Sequence, residues 1–107
     1  MTPRERNHFI PLGPIGDSIR VRIVTDGNEM LDFTVQYEPY IEDQHWPAVR
    51  YDCHVRPHRD TLDWGGETID KRWMPEAISL NDSLDDALAD IEANWERYRA
   101  DFLRRRP

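Results

Sequence analysis

Two histidines, an aspartate and the only lysine of the chain fall between residues 54 and 71. The order His54-x3-His58-x-Asp60 sets an imidazole beside a carboxylate, and Lys71 returns toward both after Gly65-Gly66. That set suits general acid–base chemistry. His58 would move the proton, Asp60 would orient it, Lys71 would stabilise a developing anion and His54 would act as partner acid. Arg50 and Arg56 flank the set, and a guanidinium offers the bidentate fork that holds a phosphate. Cleavage of RNA, in which the 2′-hydroxyl attacks the adjacent phosphate, is the reaction such a group would serve. Cys53 reads as an inward-facing strand thiol, which is usually inert.

A metal site fits the spacing less well. Histidines four apart share one face of a helix, but Pro57 interrupts this stretch and it reads as extended. Along a strand such residues stand ~13 Å apart, too far for an ion that binds nitrogen at ~2.1 Å. Only a tight loop at Val55-Arg56-Pro57 would bring them together. No metal is therefore expected. The chain also lacks a phosphate-cradling glycine loop, a serine-centred elbow and a dinucleotide fingerprint, so no cofactor is expected.

The element that must position these groups is a hairpin. Gly65-Gly66 supplies the positive φ of a tight turn. A two- or four-residue loop pairs Arg59 with Arg72, Asp60 with Lys71, Thr61 with Asp70, Leu62 with Ile69 and Asp63 with Thr68. Alternation then gathers His58, Asp60, Leu62, Trp64, Ile69, Lys71 and Trp73 on one face, expected to meet the core. Arg59, Thr61, Asp63, Thr68, Asp70 and Arg72 gather on the other, expected to face water. A histidine and an Asp–Lys pair in a core-facing row is the anomaly, since buried charge is costly unless paired.

Around this hairpin the rest of the chain supplies a sheet and a cover. Residues 1–16 hold three prolines and two glycines and read as an irregular arm. Ile19, Val21 and Ile23 alternate inward, then Asp26-Gly27-Asn28 turns into Leu31, Phe33, Val35 and Tyr37. A third strand is expected from Trp46 to Val55, with Val49, Tyr51, Cys53 and Val55 inward. The last element is a helix over about 84–103, whose stripe Leu84, Leu88, Ile91, Trp95, Tyr98 and Phe102 recurs at three and four. Ser83 is its expected N-cap, with Asp86 three residues on. The expected fold is α+β: an antiparallel β-meander of four to five strands with one long C-terminal helix packed on one face. Residues 17–107 form the single domain, and the helix length suggests a homodimer.

Acidic and basic residues number 21 and 14 (net −7), with 13 of the basic residues arginine. The balance argues against broad duplex DNA binding, which needs a basic face. One cysteine gives no intrachain disulfide. No apolar run approaches a membrane span and no signal-peptide core follows Met1, so a soluble cytoplasmic protein is expected.

Arg50-Tyr51-Asp52, His54, His58-Arg59-Asp60, Lys71, Trp73 and Asn94-Trp95-Glu96-Arg97-Tyr98 form one pattern. On these residues the chain resembles a domain-of-unknown-function family of halophilic archaea and some bacteria. That family is distantly similar to the TumE-like toxins of toxin–antitoxin systems. The resemblance spans residues 18–103. It departs where Val55 follows His54, since the family has glycine there and sets its first histidine one residue further from Tyr-Asp. The resemblance implies toxin-like action on RNA; Tyr51 is then expected at the substrate beside Arg50 and Arg56, with a small antitoxin-like protein as partner. The alternative is a non-catalytic interaction or regulatory module whose His–Asp–Lys cluster only sets strand register. A metal-dependent site is the third reading.

Overall fold

The computed structural model describes residues 2–76 and 79–107. Among these, β1 is Arg4–Leu12, β2 Asp17–Asp26, β3 Glu29–Glu38, β4 Tyr40–Ile41, β5 Gln44–His45, β6 Val49–Asp52, β7 His58–Leu62 and β8 Thr68–Trp73. The helix α1 is Leu80–Arg104. Six strands form one sheet in the order β1-β2-β3-β6-β7-β8, and β4-β5 is a separate ribbon. Every pairing is antiparallel. The α+β meander with a single closing helix is as expected, with six strands in place of four or five.

The β2–β3 hairpin carries the core because its alternation is the cleanest in the chain. Ile19 meets Tyr37, Val21 meets Val35 and Ile23 meets Phe33 across the ladder. Ile19, Val21, Phe33, Val35 and Tyr37 are fully buried, each contributing about 1.5–3 kcal/mol from burial. Helix α1 covers this face with Leu84, Ala87, Ile91, Tyr98 and Phe102. Those residues pack within the chain, so helix length alone does not call for a second copy.

Three expectations about element limits change. Residues 1–16 are not an irregular arm: Arg4–Leu12 pairs with β2 from Arg4↔Thr25 to Leu12↔Asp17. Most of β1 is exposed, so it carries no alternating signal, and an edge strand tolerates Pro11. The third strand ends at Asp52 instead of Val55. Val55 is not in the core: it is 84% exposed and sits at φ 70°, a left-handed conformation that strains a β-branched residue. Helix α1 starts one turn earlier than expected. Ser79, not Ser83, is the N-cap, and its hydroxyl accepts from the Asp82 amide at 3.2 Å. Ser83 lies inside the helix, fully buried.

The two faces of the β7–β8 hairpin are also reversed with respect to the core. Arg59 Nη1 donates to the Tyr98 hydroxyl of α1 at 2.9 Å, so the Arg59 row lies on the helix side. The His58–Asp60 row occupies the open face. The cause lies in the β6–β7 register, which pairs Val49 with Thr61 and Tyr51 with Arg59. Val49 and Tyr51 belong to the core, and cross-strand partners share a face. Because β7 and β8 extend the sheet beyond the apolar centre, polar residues are tolerated on the helix side there.

Candidate functional site

The hairpin that positions the cluster is built around Asp63. Its Oδ1 accepts from the amides of Gly65 and Glu67, each at 2.9 Å, and Gly66 takes φ 83°. Leu62 pairs with Thr68, so residues 63–67 form the loop, one residue longer than an even bend. A register shift between Thr61 and Leu62 offsets that residue. The expected pairs Arg59↔Arg72, Asp60↔Lys71 and Thr61↔Asp70 all hold, while Leu62 meets Thr68 instead of Ile69.

On the open face two polar rows cross the sheet. One runs Thr34, Asp52, His58, Trp73; the other runs Gln36, Arg50, Asp60, Lys71. At their centre His58 Nε2 lies 3.2 Å from Asp52 Oδ1 and 3.3 Å from Asp60 Oδ2. His58 Nδ1 bonds the Arg56 carbonyl at 2.9 Å, and since a carbonyl only accepts, Nδ1 carries the hydrogen. The ring meets Trp73 edge-on at 5.2 Å, and Arg56 lies over the Trp73 ring at 4.6 Å. His58 is 3% exposed and Asp60 7%. Asp60 Oδ1 is buried without a hydrogen-bond partner, and Lys71 Nζ stands 4.0 Å away.

The sequence-based candidates divide. His58, Asp60 and Lys71 come together, with Arg56 and Arg50 around them; Arg50 Nε donates to Gln36 Oε1 at 2.7 Å. His54 does not join as partner acid. It sits exposed in the β6–β7 connection, where its amide donates to Asp52 Oδ1 at 2.9 Å. Tyr51 lies on the opposite face, its hydroxyl donating to Asp90 Oδ2 at 2.7 Å, and so cannot reach a substrate at His58. Cys53 is half-buried, and burial pushes its thiol up to about 11, which keeps it protonated and unreactive near neutrality.

Asp52 is the site residue that sequence reasoning missed. Alternation along the third strand, with Tyr51 and Cys53 inward, sets it outward with no assigned role, yet it pairs directly with His58. Laying β6 against β7 through the Pro57 loop would have found it. Asp52, His58 and Asp60 are also the described residues whose ligand atoms, one from each, lie within 4.8 Å of one another. They are the group that could hold a metal.

The helix side has its own polar features. Asp90 Oδ2 accepts from Tyr51 and from Tyr98, the latter at 2.6 Å. Asp17 accepts from the Tyr37 hydroxyl at 2.5 Å, the Arg99 guanidinium at 2.7 Å and the Tyr40 amide at 2.9 Å. Burial, followed by these carboxylates, raises the three phenols above their ordinary range. Between α1 and β7–β8 a groove of about 280 Å³ is lined by Arg59, Thr61, Asp70, Arg72, Arg97 and Arg105, among others. It holds the polar row that was expected in water.

A family model covers residues 3–107, taking in both faces and the whole cluster. The chain belongs to the family Domain of unknown function (DUF7718). Neither a curated protein nor a solved structure matches it. In this DUF7718 chain no described helix is long and apolar enough to cross a membrane.

Proposed function

We propose that the open-face cluster acts on the phosphodiester backbone of RNA. The observation that carries this reading is an imidazole set between two carboxylates, with Arg50, Arg56 and Lys71 around it, on the sheet face that α1 leaves bare. Burial redistributes the roles first assigned by residue type. His58 and Asp60 are enclosed, whereas the side chains of Asp52 and Lys71 are 25% and 45% exposed. Asp52 is then the group that takes the proton from the attacking 2′-hydroxyl as the 2′-O–P bond forms and the P–O5′ bond breaks. Water protonates the departing 5′-oxygen, and Lys71 stabilises charge developing on the phosphate. His58 and Asp60 are positioning residues: His58 orients Asp52, and Asp60 orients Lys71. Arg56 and Arg50 provide phosphate contacts.

A small antitoxin-like protein would serve this reading as a partner that covers the open face. The test is incubation of the purified full chain with total RNA and with a short oligonucleotide, with and without divalent cations. Wild type is expected to cut, and Asp52→Asn to lose at least 100-fold in kcat with its circular dichroism unchanged. RNA left intact under every condition, together with harmless expression in cells, would end the proposal. One observation favours the second reading, a non-catalytic interaction or regulatory module: at 3% exposure, His58 is enclosed as a structural histidine would be. That reading predicts intact RNA and an Asp60→Asn variant that loses stability.

A further inference from the structure

We infer that Asp52, His58 and Asp60 form a binding site for one divalent first-row metal ion. The inference stands apart from the RNA reading and rests on three observations.

The first is the hydrogen count. His58 Nδ1 carries a hydrogen because it faces the Arg56 carbonyl at 2.9 Å. In the neutral ring Nε2 therefore presents a lone pair, and it presents that pair to two carboxylates. Three electron-rich atoms facing one another at low exposure repel unless a cation lies between them. A second proton on the ring or a metal ion would meet that need. An Nδ1–H bound to a backbone carbonyl is also the outer contact that metal-ligating histidines usually make.

The second is distance. Charge-assisted N–H···O bonds run at about 2.7–2.9 Å, and the contacts here are 3.2 and 3.3 Å. Two donors on one ion at about 2.1 Å are separated by about 3.0 Å at a right angle and about 3.4 Å at a tetrahedral angle. The observed spacings fall in that interval. The two N–O spacings are those of donors sharing one ion, and the three ligand atoms all lie within 4.8 Å of one another.

The third is the unsatisfied carboxylate. Asp60 is more than nine-tenths buried and its Oδ1 has no hydrogen-bond partner. The Lys71 ammonium at 4.0 Å is the nearest compensation on that side. Asp52 is already oriented by the His54 amide, so Oδ1 is fixed before any ion arrives. One imidazole and two carboxylates suit Zn2+ or Mn2+, and three protein ligands leave a coordination position open.

The test uses the EDTA-treated full chain, without RNA, titrated calorimetrically with ZnSO4 and with MnCl2. One ion per chain is expected, with Zn2+ tighter than Mn2+ in accordance with the general affinity order of divalent first-row ions. Asp52→Asn should weaken Zn2+ at least tenfold. A wild-type measurement guards against a variant that fails to fold: Zn2+ should shift the 15N resonance of His58 Nε2 and leave that nitrogen without a proton. No binding up to millimolar Zn2+ would overturn the site, as would an Asp52→Asn variant that binds like wild type. Nε2 that stays protonated at saturating Zn2+ would overturn it too, in favour of an imidazolium. Metal bound with RNA left intact keeps this site and removes the enzyme; RNA cut by a chain that binds no metal does the reverse.

Discussion

Two buried carboxylates, Asp17 under the helix and Asp60 on the open face, are satisfied in opposite ways. On the helix side, Asp17 and Asp90 are matched by short donors from Tyr37, Tyr40, Arg99, Tyr51 and Tyr98. On the open side, Asp60 is 7% exposed against 1% for Asp17, yet one oxygen has no partner and the other stands 3.3 Å from an imidazole. Buried polar groups that serve only the fold are normally satisfied, because an unmade hydrogen bond in the interior costs about 1–3 kcal/mol. Arg59 Nε, Ser83 Oγ and Arg105 Nε are also buried without partners, so the contrast is between two carboxylates: similar burial with unequal satisfaction sets Asp60 apart from Asp17.

The largest effect belongs to the satisfied side. The Asp17 side chain has no exposed surface and is the shared acceptor of three donors. Asp17→Asn leaves Arg99 facing an amide, and breaking a buried ion pair from one side costs about 3–5 kcal/mol. Arg99 keeps 23% of its side-chain surface in water, so about 3 kcal/mol is expected, read from urea denaturation midpoints. A loss below about 1 kcal/mol would make the two faces alike.

Tyr98→Phe comes next. It removes a hydroxyl that donates to Asp90 and accepts from Arg59, at a cost of about 1–2 kcal/mol. The same residue sharpens the pH dependence. Tyr37, Tyr51 and Tyr98 are raised in the fold, by burial first and carboxylate neighbours second. The unfolded chain therefore releases these protons first, near pH 10, and stability falls as pH climbs beyond that value. Cys53, pushed up to about 11, begins the decline near the ordinary thiol range of about 8.5. Urea midpoints at pH 8 and pH 10.5 should differ, and differ less in Tyr98→Phe. A wild-type midpoint unchanged over that interval would remove the phenol network as a source of stability.

What could be read from the chain, and what could not, follows the same division. The β2–β3 alternation and the helix stripe were legible because burial on one face imposes a period. The Asp60–Lys71 pairing was legible because the glycine pair marks a turn, although Asp63 and a register shift produce that register by a different route. The face was not legible, because β7 and β8 have polar residues on both sides and only the register with β6 decides which side α1 covers. Ser79 and Ser83 both begin a Ser-Leu-x-Asp run, four residues apart, so local capping chemistry could not choose between them. Asp52 was hidden because its pairing with His58 closes through a loop around Pro57, and β1 because its exposed residues show no period.

Val55→Gly tests that loop. Val55 is at φ 70° with 84% of its surface exposed, so its side chain contributes little packing. Relief of about 1–3 kcal/mol of backbone strain is partly offset by the about 0.5–1 kcal/mol of extra chain entropy that glycine brings. A net gain of about 1 kcal/mol is expected from thermal denaturation. A loss would mean that the β6–β7 connection is held by contacts of the valine itself.

The smallest expected effect is the one that best tests the comparison. Asp60→Asn keeps the shape of a residue with little surface in water but removes its charge, and with it the repulsion between two carboxylates around one imidazole. Against that stands the lost attraction to Lys71, whose ammonium is 4.0 Å away and nearly half exposed; pairs of that kind contribute about 0–1 kcal/mol. The two changes oppose each other, so the urea midpoint should move by less than about 1 kcal/mol in either direction, against about 3 kcal/mol for Asp17→Asn. Zinc affinity and RNA cleavage should fall sharply in the same protein. If Asp60→Asn costs as much as Asp17→Asn, the open-face cluster is a register clamp of the same kind as the network under the helix, and its unpartnered oxygen is fold strain with no ligand to explain it.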